Sequence, residues 1–217
     1  MMAIEKIFVK ESIKEAELQE WLAKRFEKAD FSKADIQKTP LGTRIMVYAY
    51  KPGLVVGRSG RRINEIAQEI KEKFGIENPM LDVMEVEEPF LDARIVAKRV
   101  ARAIERGINY KKVCKFYVDK VMQAGATGVQ IEVGGKLAGV ERSRFQKFRA
   151  GYITHSGEYA ETLVDKGMAK AMMKPGLVGV KVFIMKEPPK EFIWEKKIKT
   201  EETEEVEEEK TEEVKED

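Results

Sequence analysis

The tetrad Gly57-Arg58-Ser59-Gly60 is the feature that most limits how this chain can fold. The aliphatic run Leu54-Val55-Val56 comes directly before it, and residues 61–74 follow it with apolar side chains at helical spacing. Gly75 is placed to stop that helix. The positions that share its inward face are Ile63, Ile66, Ala67 and Ile70. The pattern therefore predicts a glycine turn between a short aliphatic element and an amphipathic helix.

The elements around the tetrad are predicted from spacing and from turn residues. Residues 12–28 carry apolar side chains at helical spacing, which predicts a helix. Thr39-Pro40-Leu41-Gly42 supplies a turn between strands at residues 34–38 and 43–50, with one face of the second strand formed by Ile45, Val47 and Ala49. Residues 80–86 are predicted to form a third strand. The order helix, strand, strand, helix, Gly-x-x-Gly, helix, strand resembles a type II KH domain.

The tetrad has the chemistry of a phosphate-binding loop. Glycines carry no side chain, so the backbone of a nucleic acid can approach the loop closely. A helix that begins at Arg61 directs free N–H groups and the positive end of its dipole towards phosphate oxygens. Arg58, Arg61 and Arg62 add positive charge, so the predicted site holds a short single strand, as KH domains do. The alternative is a plain turn between two helices with incidental arginines.

The second half of the chain is predicted to be a two-layer α/β domain. Helices are expected over residues 91–105 and 110–124, and Gly125-Ala126-Thr127-Gly128 is interpreted as a helix stop and turn because a strand follows it. Strands are expected at 129–133, 140–148 and 179–185, the first two being joined through Gly134, Gly135 and Gly139. Residues 161–173 are ambiguous, but their apolar spacing favours a helix.

Charge is segregated along the chain. The formal net charge is +2, but residues 200–217 hold 11 acidic residues against two lysines, a balance of −9. Residues 1–199 therefore carry 38 basic and 27 acidic residues, a balance of +11. A basic body favours a polyanionic partner, although a solvated Lys/Glu surface is the alternative. The acidic tail buries too little apolar surface to order itself, so we expect it to be disordered.

Composition excludes several classes of protein. One cysteine, Cys114, and one histidine, His155, allow neither an internal disulfide nor a Cys/His metal cluster. The expected setting is reducing and cytoplasmic. No apolar run approaches the roughly 18 residues of a membrane span, and the first residues lack the pattern of a signal peptide. We expect no metal, no cofactor and no membrane partner.

Two further segments are basic. On the helix predicted at 110–124, Val113, Tyr117, Val121 and Ala124 share one arc, while Lys111, Lys112 and Lys115 lie opposite. These lysines could hold phosphates as point charges, although spacing alone favours a soluble helix surface. Residues 141–149 interleave two aromatic residues with four basic ones, and they predict an RNA contact or a solvated sheet edge. The basic residues of that segment are Arg142, Arg144, Lys147 and Arg149.

Four segments together resemble the universal ribosomal protein three of the small subunit, in its archaeal form. They are the segments at residues 56–63, 125–137, 155–157 and 176–182, and the resemblance covers about residues 1–190. It implies an α+β chain with a KH domain at residues 1–87, a second α/β domain at 88–188 and a tail at 189–217. Each segment alone is unspecific, but the combination is specific.

The resemblance also implies a function. A member of this family is a structural, non-enzymatic component that binds small-subunit rRNA in the head and contacts neighbouring head proteins. Its basic residues grip mRNA at the entrance channel and help to open mRNA duplexes. Counting back from Gly125 places Lys111, Lys112 and Lys115 at those positions. Relatives carry Arg at some of them, which would add a bidentate fork that Lys lacks.

Two other functions stay open from the sequence. A free KH-type RNA regulator is one, although such proteins often pair KH modules and only one convincing unit is present. A nucleic-acid enzyme is the other. The chain has no G-x-x-x-x-G-K-[ST] loop, which excludes a P-loop GTPase. A lysine Schiff-base lyase remains, but no lysine is marked by the sequence as desolvated or activated.

Overall fold

A three-stranded sheet covered by helices forms the first half of the chain in the computed structural model, which describes residues 4–39, 42–76, 78–137, 139 and 141–189. The elements in order are α1 Ile4–Arg25, β1 Phe31–Thr39, β2 Gly42–Ala49, α2 Pro52–Val56, α3 Arg61–Phe74 and β3 Pro79–Glu85. The central strand β2 pairs antiparallel with β1 and parallel with β3. This order confirms the predicted KH topology.

The core of this half lies between the sheet and its helices. Ile45, Val47 and Ala49 alternate along β2 and are fully buried, so the predicted face is confirmed. The helices contribute buried side chains at helical spacing, namely Leu18, Leu22, Phe26, Ile66 and Ile70. Each such side chain stabilises the fold by roughly 1.5–3 kcal/mol relative to exposure. These contacts hold α3, and hence the glycine tetrad at its start, in one orientation.

The second half forms a four-stranded antiparallel sheet with order β5-β4-β7-β6 and two long helices. Its elements are α4 Ala93–Glu105, α5 Tyr110–Gln123, β4 Gly128–Gly135, β5 Arg144–Gly151, α6 Glu158–Thr162, β6 Val164–Met173 and β7 Gly176–Met185. Helix α4 packs on β6 and β7, while α5 packs on β4 and β5. The interpretation of residues 125–128 as a helix stop and turn is confirmed, with Gly125 at φ 91° after α5.

Helices α4 and α5 cover one face of this sheet. The side chains that point towards them include Val129, Ile131 and Val133 of β4, and Val180, Val182 and Ile184 of β7, all buried. Close contact at the start of α4 requires Gly167 of β6, because a Cβ there would lie 2.1 Å from the Ala93 carbonyl oxygen. Asp92 caps the same helix by accepting hydrogen bonds from two of its first amides, at 2.9 and 3.1 Å.

The prediction of a helix over residues 161–173 is wrong. The structure has only the short α6 there, and then β6 runs from Val164 to Met173, paired with β7 along its whole length. Exposed Met168 and Met172 lie on one face of this strand and buried Ala171 lies on the other. The spacing of the apolar residues fits both a helix and a strand. Pairing with β7 decides in favour of the strand.

Several boundaries also differ from those predicted. Helix α1 begins at Ile4, well before residue 12, and ends at Arg25, because a 3-10 turn follows over Glu27–Ala29. Strand β5 begins at Arg144, so Arg142 precedes it. Gly134 and Gly135 belong to β4 and are not part of the loop. Apart from Pro189, the predicted disordered tail at 189–217 lies outside the described ranges. The domain limits at 87 and 188 stay a prediction.

A buried polar contact joins the two halves. The Asp30 carboxylate lies 2.7 Å from Arg102 Nη1 and 3.9 Å from Arg99 Nε, both on α4. The Lys98 ammonium donates a hydrogen bond to the Phe31 carbonyl at 2.9 Å. The KH half is therefore held against the helix that carries the second core. Within the described ranges, no helix combines the length and apolar character that a membrane crossing needs.

Candidate nucleic-acid interface

The glycine tetrad is a sharp turn between α2 and α3. Gly57 has φ 73° and ψ −174°, and Gly60 has φ 72° in the left-handed region. A Cβ at Gly57 would lie 2.7 Å from the Arg62 Cβ, whereas one at Gly60 would meet only Ile63, at 4.0 Å. Gly57 is therefore required by the turn itself. The left-handed backbone at position 60 favours glycine, but the space beside it could hold a larger side chain.

The start of α3 is open to an anion. Its N-cap is Gly60, which has no side chain to occupy the first amides, and its first turn contains no acidic residue. Arg58 and Arg61 are exposed beside it. Arg62 is turned back instead, and its Nη1 donates a hydrogen bond to the Leu54 carbonyl oxygen at 3.0 Å. The structure thus places two of the three predicted arginines in solvent and uses the third to tie the loop to α2.

The three predicted lysines stand together on the first turns of α5. Lys111, Lys112 and Lys115 are exposed, while Val113 and Val121 are buried on the opposite side. Asn109 caps the helix, since its Oδ1 accepts a hydrogen bond from the Lys111 amide at 3.0 Å. Lys111 and Lys112 lie in the first turn of α5, where each cation opposes the helix dipole by about 0.3–1 kcal/mol. This arrangement costs stability, and bound phosphate would offset the cost.

Phe116 joins the lysines, although it was not among the predicted site residues. Its side chain is 54% exposed and follows Lys115 directly, four residues after Lys112. Its ring meets the Tyr117 ring edge-on at 5.5 Å, and the Lys120 ammonium lies 5.9 Å from its centre. An aromatic residue at i+4 from a lysine is the sequence signal that could have found it. An exposed ring among cations suits contact with an unpaired base.

The basic residues of β5 do not form one surface. Lys147 and Arg149 lie on the face away from the helices, and Lys147 Nζ is 3.1 Å from Glu132 Oε1. Arg144 lies on the helix-bearing face, two residues before Gln146, whose Oε1 accepts a hydrogen bond from the Tyr110 hydroxyl at 3.0 Å. The alternation of the strand therefore assigns Arg144 to the side of α5.

Two groups that could serve an enzyme, the Cys114 thiol and the Lys98 amine, are perturbed by burial. Burial raises the pKa of Cys114 to about 12, so its thiol is not ionised near neutral pH. Burial also lowers the pKa of Lys98, partly offset by Asp30, so one lysine is desolvated although the sequence did not mark it. Lys98 borders a groove of about 810 Å³, but its ammonium is bonded to the Phe31 carbonyl. Among the described residues, no acidic, His or Cys cluster could hold a metal ion.

Comparison with known proteins agrees with both halves of the fold. A KH domain profile matches residues 17–91, and the profile "Ribosomal protein S3, C-terminal domain" matches residues 100–184. "Small ribosomal subunit protein uS3" of Methanocaldococcus jannaschii is 50% identical over 183 residues, covering 84% of this chain and 88% of that protein.

Two other relatives carry the same description. That of Methanococcus aeolicus is 44% identical over 186 residues, covering 86% of this chain and 88% of the relative. That of Haloarcula marismortui is 42% identical over 188 residues, which cover 87% of this chain and 61% of the longer relative. Together with the KH topology and the glycine loop, these similarities confirm the family indicated by the sequence: the chain belongs to the uS3 family of small ribosomal subunit proteins.

Proposed function

We propose that this protein is a structural, non-catalytic component of the small ribosomal subunit that binds rRNA in the subunit head. Its place is then the cytoplasmic ribosome, with the KH domain over residues 1–87 and the second domain over 88–188. The observation that carries the proposal is the open start of α3, where Gly60 leaves the first amides uncovered between exposed Arg58 and Arg61. Main-chain amides and cations together suit a sugar–phosphate backbone.

We further propose that Lys111, Lys112 and Lys115 contact mRNA at the entrance channel and assist its unwinding. The support is local: three exposed cations stand on the first two turns of α5, two of them opposed by the helix dipole, beside the exposed aromatic ring of Phe116. Lysine binds phosphate as a point charge without reading sequence, which suits a changing message. We also propose rRNA contacts along β5. Lys147 and Arg149 would make them on one face and Arg144 on the other, while Arg142 lies just before the strand. The proposed partners also include the neighbouring proteins of the subunit head.

The loop can be tested with a pair of variants that differ in charge. Gly60→Asp and Gly60→Asn both fit the left-handed backbone and the free space, and both can cap α3. Only Asp repels phosphate, so we expect it to weaken binding of the purified protein to small-subunit rRNA by about tenfold relative to Asn. Filter binding over a range of salt concentrations measures this. Equal affinities for Asp, Asn and wild type would refute the loop assignment.

The lysine face can be tested by replacing Lys111, Lys112 and Lys115 together with Ala. We expect slower translation through a stable mRNA hairpin, because the cations that hold the strand are gone, with normal subunit assembly. The matched control replaces three exposed lysines of the KH half, namely Lys14, Lys28 and Lys71. An unchanged rate through hairpins in the α5 variant, or an equal defect in the control, would contradict the proposal.

Sedimentation of cell extract separates this proposal from a free KH regulator. A ribosomal component migrates with small subunits and remains there at moderate salt, because many phosphate contacts hold it. A regulator stays mainly at the top of the gradient. Recovery of the wild-type protein at the top would replace the ribosomal proposal with the regulatory one.

A further inference from the structure

The sheet of the second half has a face that no long helix of the described residues packs against. Register places Lys147 and Arg149 of β5 on it, together with Lys181 of β7 and Lys166 of β6. We call this the open face. At one end, the chain after β5 crosses it: a Cβ on Gly128 would lie 2.0 Å from the Tyr152 carbonyl oxygen. Beyond that crossing the basic side chains are exposed.

The charge of the open face is strongly one-sided. Five cations from three strands meet there, and they are Lys147, Arg149, Lys166, Lys170 and Lys181. Glu132 of β4 is the acid that register places among them, and it is buried and neutralised. Its Oε1 accepts one hydrogen bond from Gln130 Nε2 at 2.9 Å and forms the ion pair with Lys147 Nζ at 3.1 Å. Among the side chains that register places on this face, cations therefore outnumber acids, which favours a polyanion.

A shallow floor lies within the open face. Gly134 of β4 and Gly179 of β7 are direct partners in register, so two neighbouring central strands have no side chains at this level. Phe145 of β5, 60% exposed, stands on one side of the pair, and Lys170 of β6 stands on the other. The floor is thus bounded by an aromatic ring and a cation.

The fold itself does not require these two glycines. An added Cβ at Gly179 would meet nothing closer than 3.9 Å, and one at Gly134 would meet the Phe145 ring at 3.4 Å. By contrast, a Cβ at Gly128 or Gly167 would lie 2.0 or 2.1 Å from a carbonyl oxygen. Glycine inside a strand weakens it and often marks close approach of an outside group. The Gly134–Gly179 pair therefore leaves room for a flat group to lie directly on the sheet.

We propose that the open face binds single-stranded RNA, with a base lying on the Gly134–Gly179 floor against Phe145 and phosphates held by the surrounding cations. This rests on the proposed RNA-binding function and deepens the proposed rRNA contacts of Lys147 and Arg149 into one RNA surface, separate from the KH loop and from the lysines of α5. An exposed ring on a basic four-stranded sheet is suited to stacking unpaired bases. A protein partner is the competing occupant. The exposed Met168, Met172 and Leu177 on the same face would suit such a partner. The five cations disfavour it, because the centres of protein interfaces are depleted of lysine.

The floor is tested with Gly179→Val in the full chain. Valine favours strands and its Cβ has room, so the thermal midpoint should stay close to that of wild type. Its side chain would stand where the base lies, and we expect affinity for a labelled oligouridine of about 12 nucleotides to fall about tenfold. Phe145→Ala should lower the affinity similarly, while Phe145→Trp should restore it because stacking is kept. Wild-type affinity in both Gly179→Val and Phe145→Ala would overturn the proposal.

The charges are tested with Lys166→Glu combined with Lys181→Glu. Loss of two phosphate contacts should reduce the slope of log affinity against log salt by about 1.4. The matched control, Lys14→Glu with Lys28→Glu, changes net charge equally on the KH half and should keep the wild-type slope. Equal slopes for the two double variants would mean that total charge alone is acting, and the proposal would fail.

Parallel measurement of Gly60→Asp separates this inference from the KH-loop assignment. Loss of oligouridine binding in Gly60→Asp with wild-type binding in all open-face variants would refute RNA binding by the open face and leave the loop assignment intact. Loss in the open-face variants alone would support RNA binding by the open face and count against the loop. Normal RNA binding by the open-face variants, with loss of their cosedimentation with small subunits, would show a protein-docking face and overturn the RNA proposal.

Discussion

Replacing Asp30 by Asn would remove one buried charge from the contact between the two halves of the molecule. The Asp30 side chain is 3% exposed and lies 2.7 Å from Arg102 Nη1 and 3.9 Å from Arg99 Nε. Its Oδ1 is close to Arg102 but outside hydrogen-bond geometry, so charge is the main interaction. Asp30 has φ 57°, and Asn tolerates that left-handed backbone. The change therefore isolates the charge.

The expected cost follows from what each arginine can do afterwards. Arg102 is 31% exposed and can turn towards water. Arg99 is only 14% exposed, and its guanidinium lies 3.9 Å from the centre of the Tyr50 ring, so its charge stays desolvated. Breaking a buried ion pair costs about 3–5 kcal/mol, and the exposure of Arg102 favours the lower end, about 3 kcal/mol. For a chain of this size that lowers the melting temperature by roughly 6–12 °C.

Calorimetry and urea unfolding would measure the effect. Because Asp30 lies in the KH half and both arginines lie on α4, we expect the variant to show separated transitions for the two halves. The control is Asp35→Asn, whose exposed carboxylate is 3.6 Å from Lys33 and should contribute less than about 0.5 kcal/mol. The reasoning is refuted if Asp30→Asn unfolds with the same free energy and the same single transition as wild type.

Three other predictions follow from the second half of the fold. Ile131→Ala should cost about 2–5 kcal/mol in urea unfolding, because Ile131 is fully buried beneath the helices; a loss below 1 kcal/mol would contradict that packing. Gly167→Ala should lower the thermal midpoint clearly, since its Cβ would meet the Ala93 carbonyl at 2.1 Å, and an unchanged midpoint would disprove that contact. Burial raises the pKa of Cys114 from about 9 to about 12, so the folded state keeps a proton that the unfolded state loses. Stability should therefore fall as pH rises from 9 towards 12, and Cys114→Ala should lack this part of the pH dependence.

Local spacing of apolar residues predicted an element and its buried face where a single segment determined both. The period of Ile63, Ile66 and Ile70 predicted α3 with both of its ends, because Gly60 and Gly75 supply left-handed backbone at the two caps. Alternation predicted the buried face of β2 in the same way. The lysines of α5 separated from its apolar side as helical geometry requires. In each case the repeat is set by backbone geometry, so sequence spacing directly indicates the face.

Pairing between distant segments decided the features that local sequence spacing could not predict. Residues 164–173 fit a helix as well as a strand by their own spacing, and only the partner strand β7 settled the choice. Pairing likewise set Gly134 beside Gly179 and separated Arg144 from Lys147. The sequence by itself determined the KH topology, the glycine loop and the segregation of charge. The tertiary structure decided which cations share a surface, because strand order and register bring together residues that are far apart in the chain.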